Sequence, residues 1–213
     1  MNNQNQYKTI FFDWNKTLSN SLFWEQLADP NHQRHNWHKD IINFVFVENK
    51  HLIKDWMRAK TNEEEIVDMI SERFGYSKEL LRKDLEQSCR NMQLVDNEIL
   101  PLISQIRKKG VECVIATDNM DTFMKYTKPS LSLEKHFDDF LVSFDKKMLK
   151  FNVEENPIPF FDDYLRSKKL SYKDVLLIDD CIDKSGVYDK LGLKIWKILG
   201  TRYLLEKLRL LAK

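Results

Sequence analysis

The residues able to do chemistry in this chain fall into four clusters: Asp13-Trp14-Asn15-Lys16-Thr17, Thr117-Asp118-Asn119, Ser143 with Lys150 behind it, and Asp179-Asp180 with Asp183 close by. Between them they offer a carboxylate that can attack, hydroxyls, an ammonium and a pair of acids. That set suits transfer of a phosphoryl group. Paired acids attract a hard, oxygen-loving cation such as Mg²⁺, and a cation and a hydroxyl stabilise charge on the equatorial oxygens. A free carboxylate can carry the group covalently.

Each cluster follows an apolar run. Residues 7–12 end in Ile10, Phe11 and Phe12, which run without alternation into Asp13, the pattern of a strand covered on both faces. Similar runs at 111–116, 140–142 and 175–178 lead into Thr117, Ser143 and Asp179-Asp180. Helices are predicted over 98–109 (closing at Gly110), 121–126, 159–168 and 185–191 (stopping at Gly192). A last strand is expected at 193–198, and a closing helix capped by Thr201 runs through Leu211. Strands alternating with helices on short connections predict an α/β fold, a doubly wound parallel sheet. Ligands of such a sheet bind outside the carboxyl ends of its strands, where all four clusters fall.

Residues 20–96 read differently. Strand signals vanish there, and apolar residues recur at helical steps, as in Ile66, Met69, Ile70 and Phe74. Gly75 stops one helix and Ser77 opens the next. The expected organisation is a core of residues 1–19 and 97–213 interrupted by a helical cap over 20–96.

Bulk properties narrow the setting. Lys and Arg number 34 against 33 Asp and Glu, a net charge of +1, so no global field draws the chain to nucleic acid or to an anionic membrane. Cys89, Cys113 and Cys181 are odd in number and widely spaced, which suits reduced thiols rather than a disulfide framework. The polar start Met1-Asn-Asn-Gln-Asn-Gln6 has no signal pattern, and no apolar run is long enough for a bilayer. A cytoplasmic protein, monomer or homodimer, with a small phosphorylated substrate is expected.

In these four clusters the chain resembles the haloacid dehalogenase (HAD) superfamily. Asp13, Asn15 and Thr17 stand where the first motif, Asp-x-Asp-x-Thr, has its key residues. Val114-Ile-Ala-Thr117 looks like the second motif. Ser143 and Lys150 keep the spacing of the third, though Phe151 stands where proline is common, and Asp179-Asp180 with Gly192 looks like the fourth. The resemblance implies a Rossmann-like core with a helical cap inserted after the first motif. It also implies a Mg²⁺-dependent phosphatase-like hydrolase whose nucleophile is Asp13. Catalytic roles would fall to Asp13, Asn15, Thr117 and Lys150. The metal would be held by Asp13, Asn15, Asp179 and Asp180, and Lys16, Thr17, Asp118 and Asn119 would face the substrate.

One position departs from that pattern. The phosphatases of the superfamily carry a second Asp two residues after the nucleophile, which protonates the leaving oxygen, and here it is Asn15. A carboxamide cannot shuttle a proton, and such help is worth roughly 10²–10⁴-fold. The remaining routes are a leaving group that needs no proton, an acid from elsewhere (Asp118, Asp183 or a cap histidine), a phosphotransferase, or a catalytically weak phosphate-binding protein on the same fold. Lys147 competes with Lys150 for the third motif, because the run Lys146-Lys147-Met148-Leu149-Lys150 also reads as a solvated face. His32, His35 and His38 are spaced for one helical face, but no further ligand completes a zinc set.

Overall fold

The computed structural model describes residues 7–152 and 158–213. Its centre is five parallel strands: β1 (Thr9–Phe12), β2 (Glu112–Thr117), β3 (Asp139–Val142), β4 (Val175–Asp179) and β5 (Lys194–Lys197), in the order β3-β2-β1-β4-β5. Ile10 and Phe12 pack into one hydrophobic layer and Phe11 into the other, and all three are buried. This explains the apolar run without alternation, because neither face of the strand meets water. Strand order reverses between β1 and β4, so a crevice opens beyond the carboxyl ends of those two strands.

Helices α1 (His35–Ile42), α2 (Lys50–Met57), α3 (Glu63–Phe74) and α4 (Lys78–Arg90) occupy the segment between β1 and β2, ahead of α5 (Ile99–Lys108). A π-helical stretch, Asn43–Glu48, joins α1 to α2. α3 opens with a reciprocal capping box between Asn62 and Glu65 and closes on Gly75 at φ 73°, a left-handed position that glycine adopts freely. Ser77 caps α4 as the sequence predicts. The rest of the chain adds α6 (Lys128–Ser130), α7 (Ser143–Lys146), α8 (Asp162–Lys168), α9 (Val187–Leu191) and α10 (Thr201–Ala212).

Several expected boundaries move. The helix predicted over 121–126 starts at Asp121 as expected, turns π-helical over Phe123–Thr127 and runs on into α6. The helix predicted over 159–168 begins only at Asp162. Thr201 is the first residue of α10 rather than its cap; Gly200 precedes it and no side chain caps that end.

The helical segment is fastened to the sheet layer by buried polar groups. Glu63, 1% exposed at the start of α3, accepts from Lys125 Nζ at 2.7 Å and from the Tyr126 hydroxyl at 3.0 Å. Asp121 accepts from the Trp56 indole at 2.7 Å and from the Glu63 backbone N–H at 3.2 Å. The Thr127 hydroxyl donates to the Cys89 carbonyl at 3.0 Å. Among the described residues the three cysteines are free, and no helix is long and apolar enough to cross a membrane.

Candidate active site

Strand register sets the floor of the site. Phe12 lies level with Ile115 on β2 and Ile178 on β4, so Asp13 and Asp179, each one residue further, emerge side by side at the switch point. The Asp13 backbone N–H continues the ladder to the Ile178 carbonyl at 2.9 Å. Between the two carboxylates stands Lys150, whose Nζ is 2.6 Å from Asp13 Oδ1 and 2.6 Å from Asp179 Oδ2. All three are almost fully enclosed, at 5%, 1% and 3% exposure for Asp13, Asp179 and Lys150.

The backbone at Lys150 is held from two directions. Its N–H donates to Asp118 Oδ1 at 2.9 Å, and its carbonyl accepts from the Tyr188 hydroxyl at 2.8 Å, which itself accepts from the Phe160 N–H. Of the two lysines left open by the sequence, Lys150 is therefore the one at the acids. Lys147 is exposed, in a left-handed turn at φ 57°.

The electrostatics follow from burial. The Asp13 carboxyl is raised to about 7: desolvation pushes it up, Lys150 pulls it part of the way back, and the charge of Asp179 adds to the rise. Asp118 is also raised, chiefly by burial. For Lys150 burial favours the neutral amine, but Asp13, Asp179 and Asp118 outweigh it and hold the ammonium charged. Three acids thus crowd one ammonium, two of them nearly enclosed at its Nζ, so acidic groups outnumber basic ones there.

Such a donor set fits a hard divalent cation, which takes carboxylate oxygens and relieves that excess. Asp180 follows Asp179, and ligand atoms of Asp179, Asp180 and Cys181 lie within 4.8 Å of one another. Cys181 does not suit the same ion: partial burial of its sulfur, then the Asp180 and Asp179 charges, push the thiol up to about 11, so it stays protonated. The oxygen donors alone match magnesium's chemistry.

The loop after β1 is a tight turn. The Trp14 carbonyl accepts from the N–H groups of Thr17, Leu18 and Ser19, and Lys16 N–H reaches the Ser19 carbonyl at 2.7 Å. Lys16 sits at φ 58°, which a glycine would adopt without strain. It is exposed and makes no hydrogen bond or ion pair to the site among the described residues, so the sequence expectation of a substrate-facing lysine gains no contact here. The Thr17 and Thr117 hydroxyls are buried without a hydrogen-bond partner, as are those of Thr9 and Thr122. Thr117 differs from the last two by closing β2 beside Asp118.

The third cluster braces the second. Asn119 N–H donates to Ser143 Oγ at 2.9 Å, and Ser143 Oγ donates in turn to the Asn119 carbonyl at 3.1 Å. Asp183 is spent on its own loop, accepting from Ser185 and from the Tyr188 N–H, which removes it as a proton donor. The histidines do not gather: His35 Nδ1 bonds the Leu27 carbonyl, and His32 Nδ1 accepts from the Arg34 N–H. Sequence reading missed Tyr188 and Asp121. Neither carries a motif, and each acts through a backbone or an indole far along the chain.

Against Asp118 lies a cavity of about 460 Å³. Asn15, Asp118 and Asn119 form its polar end, and the remaining wall is mostly apolar, with Trp14 from the core and Phe23, Phe46 and Met57 from the helical segment. Asn15 and Asp118 thus line the same cavity.

This sheet order, with a helical segment between the first two strands, is a fold shared with solved HAD-family structures. Solved structures with this fold include a HAD family enzyme from Bacteroides thetaiotaomicron, in complex with magnesium and inorganic phosphate (19% identity, TM-score 0.62, covering 90% of this chain and 93% of that one). A predicted HAD-like family hydrolase from Porphyromonas gingivalis aligns at 15% identity and TM-score 0.68 over 98% and 99% of the two chains. An L-2-haloacid dehalogenase from Xanthobacter autotrophicus aligns at 14% identity and TM-score 0.62 over 95% and 82%. No protein-family model and no curated protein matches the chain.

Proposed function

We propose that this chain is a Mg²⁺-dependent phosphoryl-transfer hydrolase of a small phosphorylated molecule, with Asp13 as nucleophile. The observation that carries this reading is Lys150 Nζ at 2.6 Å from both Asp13 and Asp179, with Asp118 on the same lysine's backbone. Four separate segments converge to place one ammonium among three acids. A structural ion pair would need only one.

Asp13, Asp179 and Asp180, with the carbonyl oxygen of Asn15, would hold the ion, which when bound offsets the repulsion between a carboxylate and a phosphate dianion. An oxygen of Asp13 then bonds to phosphorus as the ester P–O bond breaks, the electron pair departing with the alcohol oxygen. Lys150 keeps the attacking carboxylate oriented and ionised, and with the unpartnered Thr117 hydroxyl it meets charge on the equatorial oxygens. Water releases inorganic phosphate and restores Asp13. In this reading residues 20–96 close over the core formed by 1–19 and 97–213, and the protein works in the cytoplasm.

The carboxamide at Asn15 favours a second reading, a phosphotransferase in which an acceptor other than water takes the phosphoryl group. The shared fold of the Xanthobacter dehalogenase raises a third chemistry, but the paired acids Asp179 and Asp180 favour a metal-dependent site. The test is phosphate release from p-nitrophenyl phosphate, whose leaving group needs little protonation. Turnover is expected with Mg²⁺ and not with a chelator, and Asp13→Asn should lower it by roughly 10³-fold or more. Full activity in Asp13→Asn would remove the proposal.

A further inference from the structure

The cavity bordered by Trp14, Asn15 and Asp118 specifies a kind of leaving group. Its wall away from the acids is formed by Phe23, Phe46, Ile53, Met57, Met92 and Met120 among others, and no Lys, Arg or His lines it among the described residues. A sugar or nucleoside would bring hydroxyls and ring nitrogens that this wall leaves without partners, at a cost for each. Phe23 lies near-parallel to Phe46, with centroids 6.4 Å apart and planes 19° apart, and near-parallel to Trp56 at 5.7 Å and 26°. Flat rings and thioethers side by side present a soft, polarizable surface that favours another ring. The volume, about 460 Å³, is larger than the roughly 150 Å³ that admits one benzene. Phe46 lies on the π-helical stretch Asn43–Glu48, a local irregularity of a kind frequent at functional sites.

A second, independent observation is chemical. Asn15 is at the polar end of this cavity, where the proton donor for the departing oxygen would stand, and a carboxamide supplies none. An alkoxide cannot leave readily without a proton, whereas a phenoxide can.

We propose that the substrate is a phosphate monoester of a phenol-type alcohol, whose ring occupies this cavity. The inference rests on the phosphoryl-transfer reading. In the first step the Asp13 oxygen–phosphorus bond forms while the aryl oxygen–phosphorus bond breaks, and the electron pair leaves with the aryl oxide, which takes its proton from water. In the second, water adds to phosphorus, Asp13 departs as the carboxylate, and inorganic phosphate carries the oxygen away with its proton lost to solvent.

Steady-state kinetics with Mg²⁺ on 1-naphthyl phosphate, glucose 6-phosphate and acetyl phosphate test it. The expected kcat/KM for 1-naphthyl phosphate exceeds that for glucose 6-phosphate by on the order of 10²-fold, through ring burial and the leaving group together. Comparable turnover of the sugar ester overturns the inference and leaves phosphoryl transfer standing. Failure on acetyl phosphate, whose small leaving group departs without a proton and needs no pocket, brings down the reaction and the inference with it. Ile53→Asp should reduce the naphthyl-to-acetyl ratio of kcat/KM at least about tenfold, and an unchanged ratio counts against the pocket. Without any variant, phenylphosphonate should quench tryptophan fluorescence at about tenfold lower concentration than methylphosphonate, and equal affinities refute the assignment.

Discussion

Around Asp13 the floor of the site is a lattice of paired charges, whereas a few residues away the cavity wall is almost bare of polar atoms. Lys150 reaches two carboxylates at once, and its backbone is gripped by Asp118 and Tyr188. Among the described residues the cavity offers only Asn15, Ser21, Asp118 and Asn119 as polar lining. The floor comes from strand ends and their following loops, where register places each atom. The wall comes largely from the segment between β1 and β2, where helical faces supply bulk. The contrast teaches that, in the proposed reaction, direction would hold the reacting group and shape the departing group. Removing a charge should therefore damage the floor far more than removing a methyl damages the wall.

The sharpest way to break that contrast, after Asp13→Asn, is Lys150→Met. It leaves Asp13 and Asp179 enclosed without their cation, and loss of one partner of a buried pair costs about 3–5 kcal/mol. Urea unfolding of the metal-free chain should show it. The loss depends on pH with a definite sign. Burial already raises the Asp13 carboxyl above its ordinary value, and removing Lys150 takes away a lowering influence. The folded variant then binds more protons than the unfolded chain, so stability falls as pH rises, and the deficit should be larger near about pH 8 than near about pH 6. An equal deficit at both would mean the acids are not held by this lysine.

Asn15→Asp probes the junction between the two regions. A carboxyl there restores a proton donor, and kcat on alkyl phosphates should rise by about 10²-fold. Across substituted phenyl phosphates the steep fall of kcat with phenol basicity should flatten in the same variant. If alkyl phosphates gain nothing, the missing proton donor is not what limits them.

The smallest effect lies at the rim. Lys16→Gly removes a side chain from a left-handed backbone position, and thermal unfolding should rise by the equivalent of about 0.5–1 kcal/mol. A drop would mean that the lysine side chain contributes more than its backbone costs.

How much of this was written in the sequence depends on the kind of contact. The three central strands were legible because a strand buried on both faces cannot alternate, and Asp13, Thr117, Ser143 and Asp179 stood out as polar residues ending apolar runs. The stop at Gly75 and restart at Ser77 were legible from local chemistry alone. The choice between Lys147 and Lys150 was not, because both sit in one basic run and only the fold selects which Nζ meets the acids. Tyr188 escaped notice since its task is to hold a carbonyl 38 residues away. Glu63 was hidden among Glu63-Glu64-Glu65, an acidic helix start whose first member is buried and whose next two are exposed. The cavity wall draws on stretches as far apart as Ser21 and Met120, and no window along the chain brings them together.

Asp121 stands four residues beyond Thr117, on the same stretch of chain as Asp118 and Asn119, and grips both Trp56 of α2 and the first residue of α3. A tilt of those helices would tug the loop that carries Asp118 and Asn119. Helices α2 and α3 and the loop after β2 thus share one tether at Asp121.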